Sequence, residues 1–302
     1  DEDRPGVFDD VSGIRLLGVG VSALEKDGDG WKVIDKTSTS IDIADYDADP
    51  AIVELLAKYD EQARTDAEEV IGTLEGGALA PENEIAEIPT AQIQDTAMID
   101  LINAVQMYYT GAPVSAAALF TMDANMFPGD IHKCDMALIY KYTNTLYKLH
   151  MNGAQLKKYM EWSMNYYNTF NPGDLTISFN PDIRAYNYDM FAGVNYDVNI
   201  ANEPGSRIEN LTWPDGTPVE DDDEFDIAVN NYRANSQLLA PGEIFDADDM
   251  PVLLEMDVRG EIGGVRELIR DYIINVKNGS ITPECDENWK IVGNDWDPAL
   301  RQ

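Results

Sequence analysis

Hydrophobic and polar residues alternate in several short segments of the chain, which is the pattern of half-buried β-strands. Near the start, residues 14–21 and 31–36 show this pattern, and the Asp27-Gly28-Asp29-Gly30 stretch between them is typical of a tight turn. These residues predict a hairpin. Further strands are predicted over residues 114–121, 138–142, 146–151, 175–179, 194–200, 207–212 and 225–230.

Four other segments repeat their apolar residues at helical spacing. The first begins at Asp49-Pro50, an acidic cap followed by proline, and runs to about Ile71 with Leu55 and Tyr59 on its apolar face. The other helices are predicted over residues 95–111, 153–167 and 264–276. Because strands and helices do not alternate strictly, the sequence predicts an α+β fold.

Residues 72–89 are rich in glycine, proline and glutamate, so they predict a linker and a domain boundary. No apolar segment approaches the ~20 residues that a membrane-spanning helix needs. The chain starts at Asp1, without methionine and without the charged-then-apolar pattern of a signal peptide. We therefore expect a piece of a longer protein that has no membrane span in this part.

The composition is strongly acidic. The 302 residues include 56 Asp and Glu against 21 Lys and Arg, which gives a net charge of −35. A nucleic-acid polymer or an anionic membrane needs clustered basic residues, so the charge argues against both as partners. Residues 131–170 differ, because they hold five lysines against Asp135 and Glu161. We interpret these lysines either as solvent-facing surface or as a local field that tolerates a small anionic ligand.

Few residues are available for catalysis. His132 and His150 are the two histidines of the sequence, and two cannot supply the His, Asp and Asn cluster of a dinuclear hydrolase. The sequence contains no HExxH, Walker, GxSxG or strand-to-helix GxGxxG motif. Cys134 lies beside His132, but adjacency in sequence is weak support for a nucleophile. Cys134 and Cys285 are expected to be either two separate thiols or one long-range disulfide.

Six segments in a fixed order carry a resemblance to a known family. They are Asp95-Thr96 with the helix after it, IYKYTNTL (139–146), GAQLKKYMEWS (153–163), YNYDMFAGVNYD (186–197), PGSRI (204–208) and NNYRA (230–234). Together they resemble the C-terminal domain of the 5′-nucleotidase family, in particular its bifunctional 2′,3′-cyclic-nucleotide 2′-phosphodiesterase/3′-nucleotidase branch. Residues 13–72 resemble the last strands of that family's N-terminal metallophosphatase domain and the helix that joins the two domains.

The resemblance implies a division of roles between two domains. In the family, the N-terminal domain carries two divalent metal ions and the catalytic residues, whereas the C-terminal domain binds the nucleobase and sugar. Residues 1–48 would then be the tail of the N-terminal domain, 49–89 the connecting helix and linker, and 90–302 the nucleoside-binding domain. We expect this chain alone to be inactive as an enzyme. Its expected partners are a nucleoside or nucleotide and its own N-terminal domain, in an extracellular or cell-wall setting.

The resemblance also indicates binding residues. In the family, two aromatic rings sandwich the base, and these map onto Tyr142 and onto Tyr232, which follows Asn231. An aromatic face stacks on any base for ~1–3 kcal/mol, although the sequence pattern alone would also fit two tyrosines packed in the core. Gly193 matches a place where the backbone approaches the ligand, which suits a residue without a side chain.

Two departures from the family pattern leave other functions open. Many members have an Asn-Gly-Gly-x-Arg stretch before the first aromatic; here residues 120–126 lack it, and Asp123 and Asn125 remain as candidates for hydrogen bonds to ribose or base. The acid that often follows the second aromatic is absent from residues 235–238. A second hypothesis is therefore a non-catalytic cell-surface module with its pocket occluded by Phe120 or Met126. A third is a metal-dependent hydrolase that acts through another site.

Overall fold

The structure is a computed structural model that describes residues 16–43, 46–85, 88–121 and 124–295. The chain divides into two compact units, residues 1–68 and 69–302, and we describe each by itself. The helices are α1 Pro50–Ala67, α2 Ala97–Thr110, α3 Asp135–Ile139, α4 Gly153–Met164, α5 Asn231–Arg233 and α6 Val265–Asp271. The strands are β1 Leu16–Asp27, β2 Gly30–Asp42, β3 Val70–Leu74, β4 Val114–Ala118, β5 Gly129–His132, β6 Leu146–Asn152, β7 Asp189–Ala192, β8 Asn195–Asn199, β9 Ile208–Thr212, β10 Glu224–Asn230, β11 Val252–Glu255, β12 Ser280–Ile281 and β13 Trp289–Val292.

The first unit contains a long hairpin and one helix. Strands β1 and β2 pair antiparallel, with Asp27 opposite Gly30 at the predicted turn. Helix α1 begins where the sequence predicts, because the Asp49 carboxylate accepts a hydrogen bond from the Ala51 amide at 2.8 Å. No residue of α1 is buried, and apolar residues such as Leu55 and Tyr59 are exposed.

The second unit is built on a five-stranded sheet with the order β11-β6-β10-β4-β7. Strand β10 lies in the middle, antiparallel to β6 and parallel to β4. Helix α2 packs against β4, β7 and β10, and helix α4 packs against β6 and β7. The buried face of α2 carries Met98, Ile102 and Val105 at helical spacing, as the periodicity predicts. The helix ends at Gly111, whose φ of +66° favours glycine.

Two three-stranded sheets complete this unit, in the orders β12-β3-β5 and β13-β8-β9. Helices and strands are thus mixed without strict alternation, and the α+β prediction is confirmed. Strand β13 pairs parallel with β8, and β12 pairs parallel with β3. The last two strands of the chain therefore form an edge of each small sheet. Among the described residues, no helix is both long enough and apolar enough to cross a bilayer.

Three predicted elements differ in the structure. Residues 138–142 do not form a strand: α3 ends at Ile139, and Met136 and Ile139 are buried one helical turn apart. A short apolar run fits either element, and here the helical spacing prevails. Residues 175–179 form no extended strand and make a single bridge, between Tyr167 and Phe179. The first helix stops at Ala67, and residues 70–74 form β3 instead of helix and linker.

The predicted last helix changes its hydrogen-bonding pattern halfway. Residues 265–271 are α-helical, whereas Tyr272–Val276 form a π-helix. The segment then ends, as predicted, at Asn278-Gly279, where both residues have positive φ. Neither Cys134 nor Cys285 forms a disulfide bond, so of the two alternatives for the cysteines the separate thiols are correct.

Candidate functional site

Tyr142 and Tyr232 project from the same end of one strand pair. Strands β6 and β10 are antiparallel, and the ladder places Leu146, the first residue of β6, opposite Asn230, the last residue of β10. Tyr142 lies four residues before Leu146, and Tyr232 lies two residues after Asn230. The register of the sheet therefore places next to each other the two chain segments that carry these tyrosines, which are ninety residues apart in sequence.

Asn231 ties the two tyrosine-bearing segments to each other. Its backbone amide donates to the Thr145 carbonyl at 2.9 Å, and its side-chain Oδ1 accepts from the Thr145 amide at 3.2 Å. The preceding residue, Asn230, caps the short α5 helix by accepting from the Arg233 amide at 2.9 Å. These bonds extend the β6–β10 pairing one residue beyond the strands and fix the backbone beside Tyr232.

Both tyrosine rings are half-exposed rather than packed in the core. Tyr142 and Tyr232 each retain 45% of their accessible surface. Each also contacts one neighbouring ring nearly at right angles: Tyr142 contacts Phe120, with ring centres 4.9 Å apart, and Tyr232 contacts Tyr186, with ring centres 6.2 Å apart. The alternative that both tyrosines are core residues does not fit this exposure.

A buried arginine anchors the segment that carries Tyr232. Arg233 is 2% exposed, pairs with the similarly buried Asp189, and lies over the Trp162 ring at 4.6 Å. Burial alone would lower the pKa of Arg233, but the Asp189 carboxylate raises it above its ordinary value, so the guanidinium stays charged. Its Nη2 also donates to the Tyr186 carbonyl at 2.8 Å. Arg233 was not among the predicted site residues, although its position next to Tyr232 was visible in the sequence.

Asn125 and Gly193 serve other contacts. The Asn125 amide bonds both backbone groups of Ala80, accepting at 2.9 Å and donating at 2.7 Å, at a cavity of about 950 Å³ that is lined by neither tyrosine. Gly193 has a φ of +86°, and a Cβ there would lie 2.0 Å from the Pro113 carbonyl oxygen. It therefore allows a close approach of backbone to backbone. Asp123 lies outside the described residues.

Three of the five lysines of residues 131–170 form ion pairs with acids from other elements. Lys148 pairs with Asp226 at 3.0 Å, Lys157 pairs with Asp221 at 2.7 Å, and Lys158 pairs with Asp249. Lys133 and Lys141 also have interaction partners. These cross-element ion pairs reduce the positive field of the segment, which the sequence alone does not show.

A second cluster, which the sequence pattern did not indicate, lies at the start of α2. Ligand atoms of Asp95, Asp100 and Cys285 all lie within 4.8 Å of one another. Burial, together with repulsion from neighbouring carboxylates, raises the pKa of Asp95 to about 6 and that of Asp100 to about 7. Burial, with the same two carboxylates, raises the pKa of Cys285 to about 12. These three side chains offer ligand atoms for one cation, and no histidine is among them.

The described residues do not fit a dinuclear metal centre of the kind the family implies. His132 lies on β5 and contacts Asp135, whereas His150 lies on β6, in another sheet, between Asp226 and Glu224. The cluster at Asp95 includes neither histidine.

Comparisons with known proteins identify the family of the chain. Residues 70–239 match the family model of the 5′-nucleotidase C-terminal domain. A 2′,3′-cyclic-nucleotide 2′-phosphodiesterase/3′-nucleotidase from Haemophilus influenzae is 30% identical over 288 residues, which cover 82% of this chain and 41% of the relative. The trifunctional nucleotide phosphoesterase protein YfkN from Bacillus subtilis is 27% identical, over 92% of this chain and 20% of the relative.

Solved structures show the same fold. A Staphylococcus aureus protein described as a 5′-nucleotidase, in complex with alpha-ketoglutarate, matches with a TM-score of 0.67 and 23% identity, over 91% of this chain and 50% of that one. A 5′-nucleotidase precursor from Thermus thermophilus matches with a TM-score of 0.59 and 13% identity, over 93% of this chain and 50% of its own. The chain thus spans half or less of the length of each of these four relatives. More than half of its residues match the family model, and the chain therefore belongs to the 5′-nucleotidase family and contains its C-terminal domain.

Proposed function

We propose that residues 90–302 form the nucleoside-binding domain of a secreted, metal-dependent nucleotide phosphohydrolase. The observation that carries this proposal is the pair of half-exposed rings, Tyr142 and Tyr232, at one end of the β6–β10 pair. Two rigid aromatic faces suit a flat nucleobase, because stacking on one face contributes ~1–3 kcal/mol for any base. The related enzymes from Haemophilus influenzae and Bacillus subtilis, whose names describe nucleotide phosphoesters as substrates, support the same ligand class.

In this proposal, Asn231 stands beside the stacked base. Its Oδ1 is engaged with the Thr145 amide, which leaves the amide nitrogen as the group that donates to a base or ribose. Asn125 and Gly193 are assigned structural roles, since both already make close contacts elsewhere. Asp123 remains a proposed contact to the ribose or the base.

We further propose that residues 1–48 are the tail of an N-terminal metallophosphatase domain and that 49–89 connect it to the nucleoside-binding domain. The exposed apolar residues of the first unit support this organisation, since a large apolar surface commonly marks an interaction site. They include Val21, Trp31, Ile34, Leu55 and Tyr59. The two divalent ions and the hydrolytic chemistry would belong to the N-terminal domain, so this chain alone would bind substrate without hydrolysing it.

The alternative of a non-catalytic surface module depends on an occluded pocket. Met126 is buried in the core, and Phe120 contacts Tyr142 with the ring planes nearly perpendicular. Nearly half of the surface of each tyrosine is accessible, which favours ligand binding over that alternative.

The first test is calorimetric titration of adenosine, cytidine and 3′-AMP into the chain. We expect saturable binding with Kd below about 10 mM, the weakest affinity consistent with one stacking site. Tyr142→Ala and Tyr232→Ala should each weaken binding about 5- to 150-fold, because each removes one stacking face. Tyr142→Phe and Tyr232→Phe should bind like the wild type.

Tyr108→Ala is the matched control, since Tyr108 is 55% exposed on α2 and should leave binding unchanged. If no nucleoside saturates the chain, or if both alanine variants bind as the wild type does, the proposal is wrong. Phosphatase activity of this chain with added Mn²⁺, removed by a chelator, would contradict the assignment of chemistry to another domain.

A further inference from the structure

Behind each exposed tyrosine lies a second aromatic ring that is itself half-buried. Phe120 follows β4 and contacts Tyr142, with ring centres 4.9 Å apart and an interplanar angle of 84°. Tyr186 precedes β7 and contacts Tyr232, with ring centres 6.2 Å apart and an angle of 82°. In both contacts the ring planes are nearly perpendicular, although the rings come from unrelated parts of the sequence.

We infer that Phe120 and Tyr186 are positioning residues for Tyr142 and Tyr232. The inference rests on the proposed function and deepens it, because it states how the two stacking faces are held before a ligand arrives. Perpendicular contact between rings is favourable, since the positive edge of one ring meets the negative face of the other. A ring held in this way loses less freedom when a base stacks on it, which improves affinity without adding a contact to the ligand.

The ring that positions Tyr142 is fixed to the core. Phe120 also contacts Tyr140, which is 1% exposed, with ring centres 4.9 Å apart and an angle of 87°. The three rings therefore form a series from the core to the surface, in the order Tyr140, Phe120, Tyr142. Since Tyr142 itself lies in the loop between α3 and β6, this series connects its ring to a rigid part of the fold.

The ring that positions Tyr232 shares an anchor with it. The Tyr186 carbonyl accepts from Arg233 Nη2 at 2.8 Å, and Arg233 is the residue next to Tyr232. Arg233 is buried and paired with Asp189, so this anchor is rigid. The Tyr186 and Tyr232 segments are thereby held in one arrangement, and their side chains meet at the surface.

Substitutions that remove the ring but keep an apolar side chain test the inference. We expect Phe120→Leu and Tyr186→Leu each to weaken adenosine binding roughly 3- to 10-fold, the range that perpendicular ring contacts contribute. Phe120→Tyr and Tyr186→Phe keep the ring and should bind adenosine with wild-type affinity. Calorimetry gives the affinity, and thermal unfolding of each variant shows whether the fold is intact.

Phe225→Leu is the matched control for a loss of ring packing. Phe225 contacts Trp213 at 83°, with ring centres 5.3 Å apart, near the opposite end of the same strand β10. It should lower the unfolding temperature but leave the affinity within about twofold of the wild type, because it contacts neither tyrosine. A general effect of destabilisation on binding would appear in this variant as well.

The outcomes separate the two proposals. Leucine variants at Phe120 and Tyr186 that bind as tightly as the wild type, while Tyr142→Ala and Tyr232→Ala lose affinity, would refute the positioning role and leave the proposed function standing. An equal loss of adenosine affinity in Phe225→Leu would also refute it. So would a loss of affinity in the ring-retaining variants Phe120→Tyr and Tyr186→Phe. Absence of any nucleoside binding by the wild type would reject both.

Discussion

At the residue scale, the most unusual groups are carboxyls that have been placed close to one another. Asp95 accepts hydrogen bonds from the backbone amides of Thr96 and Asn288, and the Asp100 carboxylate accepts from the Asp286 amide at 3.0 Å. Burial and mutual repulsion nevertheless raise the pKa of Asp100 to about 7. The neutral form of this carboxyl is therefore favoured in the folded chain over most of the acidic range.

The raised pKa has a defined effect on stability. Between the ordinary value near 4 and the folded value near 7, the folded chain binds more protons than the unfolded chain, so stability falls as pH rises through this window. Asp100→Asn should remove much of this dependence and stabilise the chain at pH 8 by on the order of 2 kcal/mol. Urea unfolding at pH 5 and pH 8 measures both quantities.

Asp182→Asn is the control for this measurement, because Asp182 is exposed and its variant should keep the wild-type pH profile. A wild-type stability that is equal at both pH values, or higher at pH 8 by an amount that Asp100→Asn does not change, would contradict the assignment.

At the element scale, residues that mark helix ends predicted the structure better than short runs of apolar residues did. The α1 start at Asp49-Pro50 and the α2 end at Gly111 were predicted correctly, because caps and left-handed glycines act through local backbone geometry. Residues 138–142 and 175–179 were predicted as strands and are not. A strand exists only if a neighbouring chain segment accepts its hydrogen bonds, and a single sequence does not show whether such a neighbour is present.

The turn between β7 and β8 gives a prediction at this scale. Gly193 has a φ of +86°, which is unfavourable for alanine. The Cβ added in Gly193→Ala would also lie 2.0 Å from the Pro113 carbonyl oxygen, so the turn and the start of β4 would have to separate. We expect a loss of more than about 3 kcal/mol in the free energy of unfolding. Denaturant titration followed by circular dichroism measures it.

Gly205 provides a matched comparison for this turn. Its φ is +88°, but no atom lies within 4 Å of the position that a Cβ would take, so Gly205→Ala carries the backbone strain without the clash. It should cost about 1–2 kcal/mol. Equal losses for the two variants would show that the contact with Pro113 is unimportant.

At the scale of the whole molecule, the two compact units differ in how much they bury. Residues 69–302 contain three sheets and a continuous hydrophobic core, whereas α1 of the first unit buries no residue. Burial of apolar surface is the main favourable contribution to folding, so the second unit has what it needs to fold independently.

A chain shortened to residues 69–302 should therefore unfold cooperatively, with an unfolding temperature within a few degrees of the full chain. It should also bind adenosine with the same affinity, since Tyr142, Tyr232 and the rings behind them all lie within it. Calorimetric scanning and titration of both chains make the comparison. A shortened chain that is unfolded, or that loses the ligand, would show that residues 1–68 contribute to the core or to the site.

The sequence by itself determined the fold class, the acidic character and the family. Composition is a count over the chain, and cap residues and motifs involve residues that are close in sequence, so none of them depends on the folded structure. It also identified Tyr142 and Tyr232 as candidates, through the resemblance. Only the tertiary structure decided that these rings are exposed, that Asn231 and Thr145 join their segments, and that Phe120 and Tyr186 lie behind them. Pairings between residues so far apart in sequence depend on strand register and packing, which arise only when the whole chain folds.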